Sequence, residues 1–336
     1  MEIGLQLTLF LQMNHKANYL RSRVIGETMD LSQNDNPLLN RVRATKDLLD
    51  VYFITDVSTI ILDFLNQFKA VCMLSMAGTG PLGVLASGDL IFATPGCWEL
   101  FDGAQRRSLN RSPRRVGVMV ALQGNKLAVI GNFRIDIWIN EIPSFSLSVD
   151  VFIRAIVGMS NNRLAVSAGH TVSIWSLDSK KVLSALIEMS FVSAMVTFDD
   201  NHLICGYASG AIVCWNVELR KALFHFTGHA DEILCLAMLP DNRLMSGSRD
   251  FTCRVWNLAT FTCELVMQHQ AVVNAVAFVD VYFVTGSATI TNSMCVWDST
   301  GTLLMQSGTN SITNLVMLPN GSLASSSNDE IVCVWK

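Results

Sequence analysis

Six of the seven tryptophans in this 336-residue chain recur at an almost constant spacing. The intervals between them are 37, 40, 41, 41 and 38 residues, and they lie at Trp138, Trp175, Trp215, Trp256, Trp297 and Trp335. Counting back 37 residues from Trp138 reaches Phe101, so an aromatic residue also occupies a seventh position. A fixed period of about 40 residues is typical of one small supersecondary unit repeated in a stack or a ring. This period constrains the fold more than any local motif does.

Within each period, short apolar segments alternate with turn residues. The clearest example covers residues 227–257, where segments 233–238, 244–248 and 253–257 are rich in Leu, Val, Ile, Cys and Met and are bounded by Gly, Asn, Asp or Pro. This composition indicates short β-strands joined by tight turns. A further segment at 222–226 completes a set of four strands. Four antiparallel strands per repeat predict one blade of a β-propeller.

The repeat at 227–257, with Gly228, His229 and Trp256, resembles a blade of the WD-repeat β-propellers. The resemblance implies an all-β, seven-bladed ring over residues 68–336. It also implies a hydrogen-bonded tetrad of His229, a strand serine (Ser246, or else Ser248), Asp250 and Trp256. A buried indole N–H needs a partner, and a charged aspartate in a turn can hold the histidine.

The acid of this tetrad is mostly missing from the other repeats. Asp250 lies six residues before Trp256, and an acid recurs at that distance only at Asp329, before Trp335. The other equivalent positions hold Pro95, Asn132, Gly169, Ser209 and Thr291. We therefore expect most blades to be held by packing rather than by the tetrad.

Ring closure leads to a second expectation about the fold. Trp335 would lie on the third strand of the last blade, so that blade needs an outer strand from elsewhere. In the WD-repeat family, the N-terminal end of the array supplies it and removes an exposed edge. We expect the donated strand near residues 68–76 and the first inner strand near 82–86. Residues 1–67 would then form an N-terminal extension outside the ring.

The extension contains a segment with helical periodicity. Its apolar residues, at positions 57, 60, 61, 64, 65 and 68, follow the spacing of an amphipathic helix, and Asp56 is placed as its N-cap. Residues 54–66 also resemble the opening helix of an F-box. Ile54 stands where that motif has a proline, and the strand that follows leaves no room for the rest of an F-box.

Three interpretations of this segment stay open. The helix packs against the ring; or the alternation of Ile60, Leu62 and Phe64 is the donated strand in a shifted register; or the helix binds a partner. In the third case, the resemblance implies that the helix enters a hydrophobic groove of a ubiquitin-ligase adaptor. The residues that would then make contact are Val57, Ile61, Phe64 and Leu65.

Basic side chains are the main candidates for ligand contacts on the propeller. Five arginines lie within residues 106–115, and Arg114 and Arg115 fall in a loop predicted at the rim, where guanidinium groups can bind an acidic ligand. Arg249 is predicted near the opening of the central channel, and Arg134 and His170 at comparable turns. Solvated side chains or surface salt bridges are the alternative for each of them.

Composition narrows the classes of function. A net charge of −4 disfavours a general nucleic-acid binder, and the absence of an apolar run of about 18 residues disfavours a membrane span. The nine cysteines contain no Cys-x-x-Cys pair, which favours free thiols in a reducing compartment over a metal site or disulfides. We find no catalytic or nucleotide-binding motif.

The sequence therefore predicts a non-catalytic protein–protein interaction module without a cofactor or metal, in the cytoplasm or nucleus, that binds proteins or peptides. One version of this prediction is an F-box-like substrate receptor of a ubiquitin ligase, with adaptor and substrate as partners. Another is a plain WD-repeat scaffold of a larger complex. A catalytic propeller would require carboxylates or histidines clustered in the channel.

Overall fold

The structure is a computed structural model, and most of the repeat region is described. The described residues are 70–75, 82–85, 87–94, 97–101, 106–111, 119–124, 126–130, 133–140, 142–187, 190–289, 293–307, 310–328 and 331–335. The N-terminal extension and its F-box-like helix lie outside these ranges, so the division of the chain at residue 67 stays a prediction.

Each repeat folds into one four-stranded antiparallel sheet, and seven such sheets follow one another along the chain. Strands form where apolar segments meet Asn, Asp or Gly, because these residues adopt the positive φ that tight hairpins require. Blades 1 and 2 contain β2 (Leu82–Val84), β3 (Leu90–Thr94), β4 (Cys97–Phe101), β5 (Arg106–Arg111), β6 (Met119–Leu122), β7 (Lys126–Ile130), β8 (Arg134–Ile139) and β9 (Ile142–Ser148). Blades 3 and 4 contain β10 (Ile153–Met159), β11 (Arg163–Ala168), β12 (Thr171–Ser176), β13 (Lys181–Ile187), β14 (Val192–Thr197), β15 (His202–Tyr207), β16 (Ile212–Asn216) and β17 (Lys221–Phe226).

The remaining blades keep the same order. Blades 5 and 6 contain β18 (Ile233–Leu239), β19 (Arg243–Ser248), β20 (Thr252–Asn257), β21 (Thr262–Gln268), β22 (Val273–Val279), β23 (Tyr282–Ser287), β24 (Met294–Trp297) and β25 (Leu303–Ser307), with a 3-10 turn at Pro240–Asn242. Blade 7 contains β26 (Ile312–Met317), β27 (Leu323–Ser327), β28 (Ile331–Trp335) and β1 (Ala70–Ser75). The prediction of a seven-bladed all-β ring is confirmed.

The outer strand of blade 7 comes from the start of the described chain. β1 pairs antiparallel with β28, with Ala70 opposite Trp335 and Ser75 opposite Ile331. The predicted donation of residues 68–76 is therefore confirmed. The pairing covers an edge of β28 that would otherwise expose unpaired N–H and C=O groups.

The hydrophobic core lies between the blades. One buried cluster joins Ile204 and Phe226 of blade 4 to Leu244 and Trp256 of blade 5. The inner strands of successive blades also contact one another around the ring, including β2 of blade 1 with β26 of blade 7. A single blade would leave both of its faces exposed, so each blade depends on its neighbours.

Glycines at one register allow three pairs of blades to approach closely. Gly206, Gly247 and Gly286 each lie three residues beyond the residue that pairs with the blade's tryptophan. A Cβ at Gly206 would lie 2.5 Å from Cγ2 of Ile233, the first residue of the next inner strand. Only a glycine lets the next strand pack this closely against the sheet.

We define the upper face as the side of the ring that carries two kinds of connection. These are the hairpins between second and third strands and the loops from an outer strand to the next inner strand. Backbone hydrogen bonds of 2.9 Å tie the two kinds together, from the N–H of Ala208 to the C=O of Phe191 and from the N–H of Arg249 to the C=O of Glu232. Side chains of these connections therefore lie side by side near the central channel.

Candidate functional site on the upper face

The structure brings the four predicted tetrad residues together in blade 5. His229 Nδ1 lies 2.8 Å from Asp250 Oδ2, and His229 Nε2 lies 2.7 Å from Ser246 Oγ. The indole N–H of Trp256 donates to the same Ser246 hydroxyl at 2.8 Å. Ser248, the other candidate serine, instead donates to the carbonyl of Asp231 at 3.0 Å.

The protonation states of the tetrad follow from these contacts. Burial tends to raise the pKa of Asp250, but hydrogen bonds from Thr252, the Ala230 N–H and His229 outweigh it and bring the pKa to about 2. The carboxylate is therefore ionised and accepts a hydrogen bond from the N–H at His229 Nδ1. His229 Nε2 then accepts from Ser246. Burial lowers the pKa of His229 despite the adjacent Asp250, so the imidazole is neutral at pH 7.

The serine of the tetrad has hydroxyl equivalents only in the last blades. On the second strand of each blade, one residue pairs with the tryptophan of the third strand. The residue two positions after it is Ser246 in blade 5, Thr285 in blade 6 and Ser325 in blade 7. Each accepts the indole N–H of its blade at 2.8–2.9 Å. In blades 1 to 4 the same register holds Phe92, Val129, Val166 and Cys205.

The tryptophans of blades 2 to 4 consequently differ in how their N–H groups are satisfied. Trp215 donates to the hydroxyl of Tyr207 at 2.9 Å, and Trp175 donates to Ser173 at 3.0 Å. Trp138 Nε1 is buried and has no hydrogen-bond partner in the described structure. A buried donor without a partner destabilises the fold. The indole N–H of blade 2 therefore costs stability, whereas that of blade 5 has its hydrogen bond.

A group of five side chains from blades 3, 4 and 5 lies on the upper face, and we call it the central cluster. It consists of Arg154, His170, Phe191, Glu232 and Arg249. The rings of His170 and Phe191 stack at 4.1 Å, and the Arg154 guanidinium lies 4.7 Å from the Phe191 centroid. Glu232 contacts Arg249 at 2.8 Å and Arg154 at 3.5 Å. One carboxylate thus serves two guanidinium groups, which leaves the cluster with a net positive charge.

Exposed apolar side chains also lie on the upper face. Phe152 and Phe133, which border the upper-face connections of blades 3 and 2, are 59% and 56% exposed. Val151 and Phe251 are also exposed, although Phe251 adopts a φ of 66° that disfavours a bulky side chain. Exposed apolar side chains can contribute to an interaction surface, although others, such as Leu219, lie on the opposite face.

The predicted basic residues have different environments. Arg249 and His170 belong to the central cluster. Arg134 is the first residue of β8 rather than a turn residue, and it forms an ion pair with Asp136 at 2.8 Å. Arg114 and Arg115 lie outside the described residues, as do Val57, Ile61, Phe64 and Leu65, and their roles stay predictions.

Sequence reasoning missed Arg154, Phe191 and Glu232. Arg154 and Glu232 are 78 residues apart, so no local motif joins them. A signal was nevertheless present, because Phe191 and Glu232 each directly precede an inner strand, at the end of an upper-face loop. Aligning the repeats by their inner strands places Phe191 and Glu232 at the same position.

The chemistry of the described residues is that of a binding surface. No group of three His, Cys, Asp or Glu within the described ranges could hold a metal ion. Burial raises the pKa of Cys235 to about 12 and that of Cys295 to about 11, so both thiols stay protonated at pH 7. In the described part of the chain, no helix has the length and hydrophobicity needed to cross a membrane.

Comparisons with known proteins agree with the geometry. The WD40 family (WD domain, G-beta repeat) matches residues 220–257, which cover the outer strand of blade 4 and the first three strands of blade 5 with its tetrad. WD repeat-containing protein 18 of Mus musculus is 30% identical over 111 residues, covering 29% of this chain and 26% of that protein. Its counterpart in Danio rerio is 29% identical over 140 residues, covering 37% of this chain and 32% of that protein. The matches therefore span about a third or less of these relatives.

A solved structure shares the fold over most of the chain. A chain in the crystal structure of a mitotic checkpoint complex superposes with a TM-score of 0.72 at 14% identity, covering 80% of this chain and 92% of that chain. The closed ring and its upper face define a propeller of the protein-interaction type, a class that is generally non-catalytic. Within that class, the comparisons support the WD40-repeat β-propeller family.

Proposed function

We propose that this protein is a non-catalytic interaction module whose upper face, over blades 3 to 5, binds a segment of a partner protein. The observation that carries the proposal is the central cluster, in which Phe191 joins Arg154, His170 and the Arg249–Glu232 pair within one contiguous surface. Apolar rings beside guanidinium groups are frequent at the energetic centres of protein interfaces.

The same contacts suggest which partner side chains suit the surface. Two guanidinium groups share Glu232, so an additional anionic group would meet a favourable potential there. The exposed Phe152 offers an apolar contact beside it. A segment that presents an acidic and an apolar side chain in succession would satisfy both features.

Substitutions on the two faces of the ring test this proposal. Phe152→Asp places a charge on the proposed surface, and Leu219→Asp provides a matched control because Leu219 is 71% exposed in a hairpin of the opposite face. Partners captured by each variant from cell extract are quantified by mass spectrometry. We expect Phe152→Asp to lose a defined set of partners at least about fivefold while Leu219→Asp retains them. Equal retention by both variants would remove the upper face from consideration.

A second, more specific function is that of a substrate receptor of a ubiquitin ligase. Support comes from the amphipathic spacing at residues 57–68 and from its position directly before β1. In this proposal, residues 1–67 form a separate extension, and its helix binds the ligase adaptor through Val57, Ile61, Phe64 and Leu65. The propeller of residues 68–336 then selects the substrate. A plain scaffold would use the propeller alone.

Adaptor binding separates the receptor from the scaffold. The adaptor is tested in pull-downs with the intact chain, with Ile61→Asp/Leu65→Asp, and with a shortened chain beginning at Gln67. If the protein is a receptor, the intact chain binds the adaptor and both changes abolish that binding. If the intact chain does not bind the adaptor, the receptor hypothesis is refuted. We place the module in the cytoplasm or nucleus, where reducing conditions suit its free thiols.

A further inference from the structure

Blade 6 repeats the histidine and tryptophan of the blade 5 tetrad. His269 lies four residues before Val273, which begins β22, as His229 lies four residues before Ile233, which begins β18. Each imidazole meets the tryptophan of its blade edge-on, at 5.1 Å in blade 6 and 5.9 Å in blade 5. The two histidines are therefore equivalent, and their surroundings can be compared directly.

The acid that serves the histidine of blade 5 has no counterpart among the described residues of blade 6. Five residues separate Gly247 from its partner Cys253, but seven separate Gly286 from its partner Met294. Counting back from Trp297 pointed to Thr291 as the equivalent of Asp250. Counting forward from the paired glycines gives a different equivalent. Thr289 is the third residue after Gly286, as Asp250 is the third residue after Gly247. A threonine cannot supply the negative charge.

His269 is consequently half-buried without the contacts that His229 has. Thr285 accepts the indole N–H of Trp297 at 2.9 Å and donates its own proton to the carbonyl of Cys295. Nε2 of His269 is buried and has no hydrogen-bond partner among the described residues. Burial alone lowers the pKa of His269 to about 4, so at pH 7 the imidazole is neutral and carries one N–H.

A small cleft of about 100 Å³ opens beside this imidazole. Its lining includes His269, Gln268, Gln270, Gln306, Ser287 and Thr289. The three amides and the hydroxyl of Thr289 can donate hydrogen bonds, whereas Ser287 already donates to the Ser293 carbonyl. None of the described lining side chains is a carboxylate or an ammonium group. Donors without a competing anion suit the oxygens of a bound carboxylate.

We infer that this cleft binds a carboxylate group, presented by an aspartate or glutamate side chain of a partner protein. The carboxylate takes the part in blade 6 that Asp250 takes in blade 5, accepting from Nδ1–H of His269, whereas the unpartnered Nε2 is the buried nitrogen equivalent to the one that meets Ser246. Thr289 and the cleft glutamines supply further donors, as Thr252 does for Asp250 at 2.7 Å. This contact lies outside the central cluster and adds an acid-specific anchor between blades 5 and 6.

Acetate is the simplest probe of the inference. The imidazole ¹⁵N resonances of His269 are followed in the full-length chain at pH 7, with sodium acetate and sodium chloride at matched ionic strength and with acetamide as the neutral control. We expect a saturable shift with acetate alone, while the resonances of His229 stay fixed because Asp250 already occupies its site. A His269 resonance that acetate leaves unchanged overturns the inference.

Two further measurements test whether acetate binds at this cleft and whether a protein carboxylate binds there too. Thr289→Asp supplies the acid within the chain, so it should raise the pKa of His269 by at least about one unit and abolish the acetate response. Retention of that response in this variant would show that acetate binds elsewhere, and so would contradict the inference. Acetyl-Gly-Glu-Gly-amide should reproduce the acetate shift and acetyl-Gly-Gln-Gly-amide should not. Equal shifts from both peptides would exclude recognition of a protein carboxylate.

Discussion

Replacing Trp138 by phenylalanine should leave stability unchanged or increase it, although the residue is buried in a blade. The indole N–H of Trp138 is buried without a partner in the described structure, and such a donor costs about 1–3 kcal/mol. Phenylalanine removes this donor and roughly 40 Å² of apolar surface, which is worth about 1 kcal/mol. The sum lies between no change and about 2 kcal/mol of stabilisation. Phe101 already occupies the equivalent position of blade 1.

Trp256→Phe is the matched comparison, because Trp256 has the same place in blade 5 and donates to Ser246 at 2.8 Å. The substitution loses the same apolar area and also a satisfied hydrogen bond worth about 1 kcal/mol. We therefore expect a destabilisation of about 2 kcal/mol. The two variants should differ by at least about 2 kcal/mol, although the substitution is chemically identical.

Equilibrium urea unfolding, followed by far-UV circular dichroism, measures this difference in the free energy of unfolding. The comparison holds where the slopes of free energy against urea agree, since a changed slope reports a change in the unfolded state or in cooperativity. In thermal unfolding, each kcal/mol corresponds to about 1–2 °C for a chain of this length. If Trp138→Phe destabilises as much as Trp256→Phe does, the unsatisfied donor does not have the energetic role assigned to it.

Further predictions concern the tetrad, the blade contacts and pH. Ser246→Ala leaves both His229 Nε2 and the Trp256 N–H without their partner and should destabilise by about 2–4 kcal/mol in urea unfolding, against about 1 kcal/mol for Ser248→Ala. Gly206→Ala forces a Cβ to within 2.5 Å of Ile233 and should cost about 1–3 kcal/mol by the same assay; an unchanged midpoint would mean that the next blade moves away freely. Burial lowers the pKa of His269 from 6.5 to about 4, so its contribution to stability is present above pH 6.5 and is lost as pH falls toward 4. His269→Gln should flatten this part of the profile of thermal midpoint against pH, and an identical slope in both proteins would contradict the burial argument.

The sequence was sufficient to predict the ring, because the aromatic period reflects the one unit that repeats. The donated strand followed from where the period ends, and the tetrad of blade 5 followed from a motif whose members share one blade. The central cluster could not be predicted in this way. Arg154 and Glu232 come into contact only when blades 3 and 5 are arranged on either side of blade 4. No local sequence pattern predicts that arrangement.

The cleft at His269 was hidden for a different reason. Counting residues from Trp297 assumes that every hairpin has one length, and the hairpin of blade 6 breaks that assumption. The unsatisfied state of Trp138 is equally invisible in sequence, since it depends on whether a hydroxyl group lies within reach. Val129 occupies the register where blade 5 has Ser246. Such a substitution can be interpreted only after the strand pairing is known.

Closure by β1 also sets where the N-terminal extension is attached. The predicted extension of residues 1–67 would join the ring through β1, the outer strand of blade 7, so its attachment point would lie on the circumference and not at the channel. A ligand held by residues 1–67 would then be confined near the ring, tethered from that fixed point. Its encounter with the upper face would then depend on effective concentration, and tether length would decide whether both contacts form together. Lengthening or shortening the chain before Ala70 would change the avidity for such a ligand while every contact residue stayed the same.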